Sequence, residues 1–176
     1  MSDGINIGGV RLLTLGEINL AKTLYGLSIR YNEVWIHRGS YLPFNMQNFR
    51  TAMTPNGEIY FMEGTYENDF SMSHQRMSRI VGAHLFLHEM MHQHGMMVRL
   101  RAAFSWAVDY SYHLDKHHLL DYGLEQQASI VSDFWLLNTY GFDPRSNLHK
   151  LIDYDPSEPK QDLLRRYEAI LGDFPQ

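Results

Sequence analysis

Two histidines and a glutamate stand at a spacing with a specific chemical use: His88, Glu89 and His92 form an HExxH pattern. On a helix, side chains four apart lie one above the other on the same face. Two imidazoles so placed can bind one zinc ion, each through a ring nitrogen at roughly 2.0–2.1 Å. The glutamate, one step round the helix, sits beside the metal instead of on it, where it can take a proton from the water the metal holds. The chemistry this pattern serves is metal-assisted hydrolysis. With ten histidines in 176 residues, composition alone would produce the pattern by chance about 3% of the time, so its setting matters.

A catalytic zinc site needs a third protein ligand and an open position. The HExxHxxGxxH pattern of astacin-like and matrix proteases would place that ligand at position 98; the chain has Gly95 but Val98, which excludes that class. Glu125 is a better candidate, in the first turn of a second predicted helix, but it is one of twenty acidic residues. Asp133 lies about 80° round that helix from Glu125, so it suits orienting a ligand histidine better than sharing the metal. Asp121 is a second candidate for that role. Tyr112 and Tyr122 could donate to a developing oxyanion, though with eleven tyrosines in the chain packing is a common use for any one. His84, one turn before His88, reads as a core or orienting histidine, because a fourth protein ligand would close the open position. His94 reads as solvated, and His117 and His118 as loop residues.

The elements that must position these groups are legible in outline. Thr14 and Glu17 form a capping box opening a helix that runs through Ile18, Ala21, Leu24 and Tyr25 to a stop at Gly26. Residues 33–37 and 58–62 read as strands, the second following a turn at Pro55, Asn56 and Gly57. From Met77 to His94 the apolar spacing becomes helical, with Ile80, Ala83, Leu87 and Met91 on one stripe and HExxH inside it. Residues 105–113 read as a strand or extended loop. Leu124 to Leu137 is helical through Leu124, Ala128, Val131 and Trp135. A last helix over about 157–172 packs through Leu163, Leu164, Tyr167, Ile170 and Leu171. Three or four helices with three to five short strands make an α+β domain.

Composition narrows the function classes. The chain has no cysteine, which removes disulfides, thiolate nucleophiles and Cys-ligated metals. A net charge of −5 argues against a nucleic-acid partner. No apolar run approaches the ~20 residues of a membrane span. The first residues lack the basic and apolar regions of a signal peptide. Length and composition fit one globular domain over residues 1–176.

The segment Leu124, Glu125, Gln126, Gln127, Ala128, taken with HExxH, resembles the zinc metallopeptidase-like domains related to VgrG, the spike protein of bacterial type VI secretion. Leu42, Pro43 and Phe44, followed by residues 52–57 (Ala-Met-Thr-Pro-Asn-Gly), are similar to the stretch before the metal helix in those domains. The likeness covers about residues 13–140. It departs after His92, where Gln93, His94 and Gly95 replace apolar and aromatic residues. The resemblance implies a zincin-like α+β fold, with the metal helix on a small twisted sheet and a second helix supplying Glu125 as third zinc ligand beside His88 and His92. It places the strand near 58–62 at the sheet edge, bordering the cleft. It implies Glu89 as general base in hydrolysis of a peptide or peptide-like amide, with cell-wall peptides or periplasmic proteins as substrates. The implied partners are a VgrG-type spike and an immunity protein, and the implied route is type VI export from the cytoplasm into a target cell's periplasm. The other reading in view is a zinc-binding adaptor of the spike that has lost its activity.

Overall fold

A computed structural model describes residues 4–42, 52–54, 57–72, 76–94 and 109–175. The chain divides into two compact units, Met1–Ser105 and Trp106–Gln176.

The first unit begins with strand β1 (Val10–Leu12) and helix α1 (Leu15–Tyr25). The expected capping box is present: Glu17 N–H donates to Thr14 Oγ1 at 3.1 Å, and Thr14 N–H to Glu17 Oε2 at 2.8 Å. Gly26 ends the helix at φ 51°, a left-handed conformation that suits glycine. A short 3₁₀ turn at Tyr31–Glu33 leads into β2 (Trp35–Arg38), so the strand starts two residues later than its β-branched and aromatic run predicts. Strands β3 (Ala52–Met53) and β4 (Glu58–Phe61) complete a sheet of order β1-β2-β4-β3. Pro55 and Asn56 of the expected turn lie outside the described residues, while Gly57 takes φ 82° just before β4. The β1–β2 and β3–β4 pairs are antiparallel and β2–β4 is parallel.

That order corrects one expectation. Strand β4 is not an edge: β2 and β3 flank it, with Ile36 opposite Ile59 and Ala52 opposite Phe61. A two-residue strand such as β3 carries no readable alternation, so its pairing is invisible in sequence.

Glu17 does more than cap α1. Its fully buried carboxylate accepts from both terminal nitrogens of Arg11, at 2.8 Å each, and from the backbone N–H of Phe70 at 3.0 Å. It thereby ties β1, α1 and the segment before α2 together. Breaking a buried pair by removing one partner is expected to cost about 3–5 kcal/mol. A urea unfolding curve of Glu17→Ala should show that loss, while Glu33→Ala, which breaks an exposed ion pair with Arg30, stays within about 0.5 kcal/mol of wild type.

Helix α2 (Arg76–Met91) is built for burial at its far end. Every residue from Phe86 to Met91 is buried, so this stretch has no solvent face. Phe86 stacks on Phe70 at 5.4 Å between ring centroids, and Phe70 meets Phe61 of β4 at 4.3 Å, which seats the helix over the sheet. From the α1 side, the buried Tyr25 hydroxyl donates to Leu87 O at 2.6 Å.

The second unit contains α3 (Leu124–Tyr140) and α4 (Lys160–Leu171), packed against each other. Leu163, Leu164, Tyr167 and Ile170 bury as expected. Of the segment 105–113, residues 109–113 are described, and Tyr112 makes a single parallel bridge to Leu151 where a strand was one of the readings. Tyr112 donates to Asp133 Oδ2 at 2.7 Å, Tyr167 meets the Tyr112 hydroxyl at 2.5 Å, and Lys150 N–H reaches the same Asp133 oxygen at 2.7 Å. Burial first, and the Asp133 charge next, push both phenols well above their ordinary pKa. Tyr112→Phe removes one donor from a buried carboxylate and is expected to lower unfolding stability by about 1–3 kcal/mol. Thermal or urea melting measures it.

Candidate metal centre

Four helical turns bring His88, Glu89 and His92 to the end of α2, whereas the apolar spacing carries the predicted helix on to His94. The α-helix closes at Met91, and the chain tightens there: His92 N–H bonds Glu89 O at 3.1 Å, and Gln93 N–H bonds Met90 O at 3.0 Å. These are three-residue spacings, the usual tightening of a last turn. The position has an electrostatic consequence. The C-terminal end of a helix carries partial negative charge, which favours a cation held there.

The two imidazoles lie edge to face, 5.5 Å apart between ring centroids, with 73° between their planes. Two rings sharing a tetrahedral ion at roughly 2.0–2.1 Å per nitrogen would have centroids about 5.2 Å apart. The pair is therefore already spaced for one ion, and a nitrogen-rich donor set without cysteine suits zinc. His88 is 7% exposed and Glu89 5%. His84, one turn earlier, is buried in the same helix.

Glu89 has a partner that sequence reasoning did not single out. Thr54, the residue after β3, donates through Oγ1 to Glu89 Oε2 at 2.6 Å, and both side chains are buried. Thr54 falls inside the 52–57 segment noted for its resemblance, but nothing in residue type or spacing joins it to a residue 35 positions away. His94, expected to be solvated, is half-buried; its ring lies 6.3 Å from that of Tyr25, and burial lowers its pKa.

The other candidates belong to the second unit. Glu125 lies in the first turn of α3, half-buried, next to the buried run from Gln127 to Asp133. Asp133 and Tyr112 are bonded to each other in the core of that unit. The Tyr122 hydroxyl donates to His113 O at 2.9 Å and accepts from Lys116 N–H at 3.1 Å. The protons of both phenols are thus used inside the unit. Asp121 is exposed and accepts from His118 N–H at 3.0 Å, closing the 3₁₀ turn Leu119–Asp121. His117 and His118 are exposed before that turn, as expected.

The α+β fold of the described residues, four helices and a small mixed sheet, is similar to that of a solved protein domain. The effector domain of Pseudomonas aeruginosa VgrG2b superimposes with a TM-score of 0.62 at 36% identity, over 80% of this chain and 82% of that domain. The chain belongs to the family of this VgrG2b effector domain. In sequence it is 39% identical over 139 residues to the type VI secretion system spike protein VgrG2b of P. aeruginosa. That match takes in 72% of this chain but spans only 13% of the length of the spike protein. No protein-family model matches the chain. Among the described residues, no helix is long and apolar enough to cross a membrane.

Proposed function

We propose that this domain is a zinc-dependent peptidase or amidase and an antibacterial effector of type VI secretion, with the zincin-like fold its sequence implies. The observation that carries the reading is the end of α2, where a buried carboxylate stands beside two imidazoles spaced for one ion. A purely structural metal site has no use for a base in that position. The relation to an effector domain of a secretion spike supplies the biological setting.

On this reading His88, His92 and Glu125 hold the metal. Zinc, when bound, polarises a carbonyl and makes water more acidic. Glu89 supplies the proton transfers: its carboxylate takes a proton from the attacking water and returns it to the leaving nitrogen. Burial of Glu89 and its bond to Thr54 hold the base in one place for both transfers. The substrates that suit an exported antibacterial hydrolase are the peptides of the cell wall or periplasmic proteins. A VgrG-type spike carries the domain, and an immunity protein guards the producing cell.

The test is to direct the wild type and Glu89→Ala separately to the cytoplasm and the periplasm of a test bacterium and follow growth. Toxicity of the wild type alone, in the periplasm alone, is the expected result. Equal harmlessness of both proteins in both compartments, with peptide libraries left uncut, would favour a zinc-binding adaptor instead.

A further inference from the structure

We propose that Thr54 is the positioning residue for Glu89, fixing which carboxylate oxygen handles the proton; this rests on the hydrolase reading above. A glutamate side chain carries a large rotamer entropy, and a base must be held to act within hydrogen-bond reach of its proton. The Glu89 backbone belongs to α2, whereas the group that orients its carboxylate comes from the sheet. Thr54 follows β3 directly, and the pairing of Ala52 with Phe61 and Met53 with Tyr60 fixes the backbone that leads into it. Threonine is β-branched, with few χ1 choices, so the aim of its hydroxyl is set largely by that backbone.

At 2.6 Å between buried partners, the Oγ1–H···Oε2 bond has the length of a charge-assisted one. Thr54 has one proton to give, and it goes to Oε2. Among the described residues Oε1 makes no such bond, so Oε1 is the oxygen left to accept a proton from water. The carboxylate is thereby split into a held oxygen and a working one. A glutamate without the hydroxyl would keep its chemistry but lose its fixed aim, so turnover should fall while metal and substrate binding stay.

The experiment compares Thr54→Val, which keeps the shape and removes the donor, with Thr54→Ser, which keeps the donor. Each is purified as the full chain, loaded with zinc and assayed on a peptide that the wild type cleaves. Thr54→Val is expected to lower kcat about ten-fold or more, with KM and zinc content unchanged, and Thr54→Ser to recover most of the loss. In a Glu89→Gln background, Thr54→Val should cost nothing further. A readout independent of turnover accompanies these: crystal structures should show one Glu89 rotamer in the wild type and Thr54→Ser, and several in Thr54→Val. Should the valine variant not fold, Thr54→Ala is read the same way. An unchanged kcat with Glu89 ordered in its original place, or a serine variant as impaired as the valine one, would overturn the proposal. A wild type that cuts no peptide would sink the hydrolase reading separately, because the order of the Glu89 side chain still decides what Thr54 does to it.

Discussion

Glu89→Gln is expected to leave zinc bound at wild-type stoichiometry and to lower turnover by about 10²–10⁴-fold, at the upper end of that range or beyond. The substitution preserves size, and the new amide oxygen can still accept from Thr54, so the buried contact at 2.6 Å has a replacement. What disappears is the capacity to take and return a proton. One residue serves both the attack and the departure of the leaving nitrogen, and therefore both steps suffer together. Because Glu89 neighbours the histidine face without belonging to it, the metal site itself loses no ligand. Single-turnover kinetics on a cleaved peptide, with metal analysis of the same sample, measures both quantities. A variant that retained turnover would remove Glu89 from the mechanism.

The second large effect concerns the third ligand. Glu125→Ala is expected to weaken zinc binding by well over 100-fold, because losing an orienting neighbour alone typically costs ~10–100-fold and a direct ligand matters more. Asp133→Asn and Asp121→Asn serve as controls with different physical readings. Asp133 accepts from Tyr112 and Lys150 N–H, so its variant should show first in stability. Asp121 closes an exposed turn and should matter little to either quantity. Competition with a chelating dye reports the affinities. A larger loss in Asp133→Asn than in Glu125→Ala would mean that the wrong carboxylate has been assigned.

What could be read in the sequence was what is local. The Thr14–Glu17 box and the Gly26 stop are decided within a dozen residues by backbone amides that need partners. The helices α2, α3 and α4 announced themselves through apolar periodicity, and the His88–His92 spacing is itself a helical property. Pairings between distant residues could not be read. Strand β3 is too short to show a period, so nothing in the residues themselves corrects the edge position that the resemblance gives β4. Nor does the sequence say that α2 ends at Met91, since the tightening at His92 depends on how the chain leaves the core. His94 is polar by type and half-buried in fact, because Tyr25 of α1 stands beside it. Thr54 is the sharpest case. Its role depends on a two-residue strand bringing a hydroxyl to a helix 35 residues later, and no local signal encodes that.

The measurement that tests the account most directly is the zinc content of the purified chain, by elemental analysis after growth in zinc-replete medium. Wild type should carry about one zinc per chain, as a single site of two imidazoles and a carboxylate requires. His88→Ala should carry almost none while keeping its far-ultraviolet circular dichroism, because a chain of this length buries enough surface to fold without the ion. A wild type that holds no zinc and takes up none on titration would contradict the account at its base.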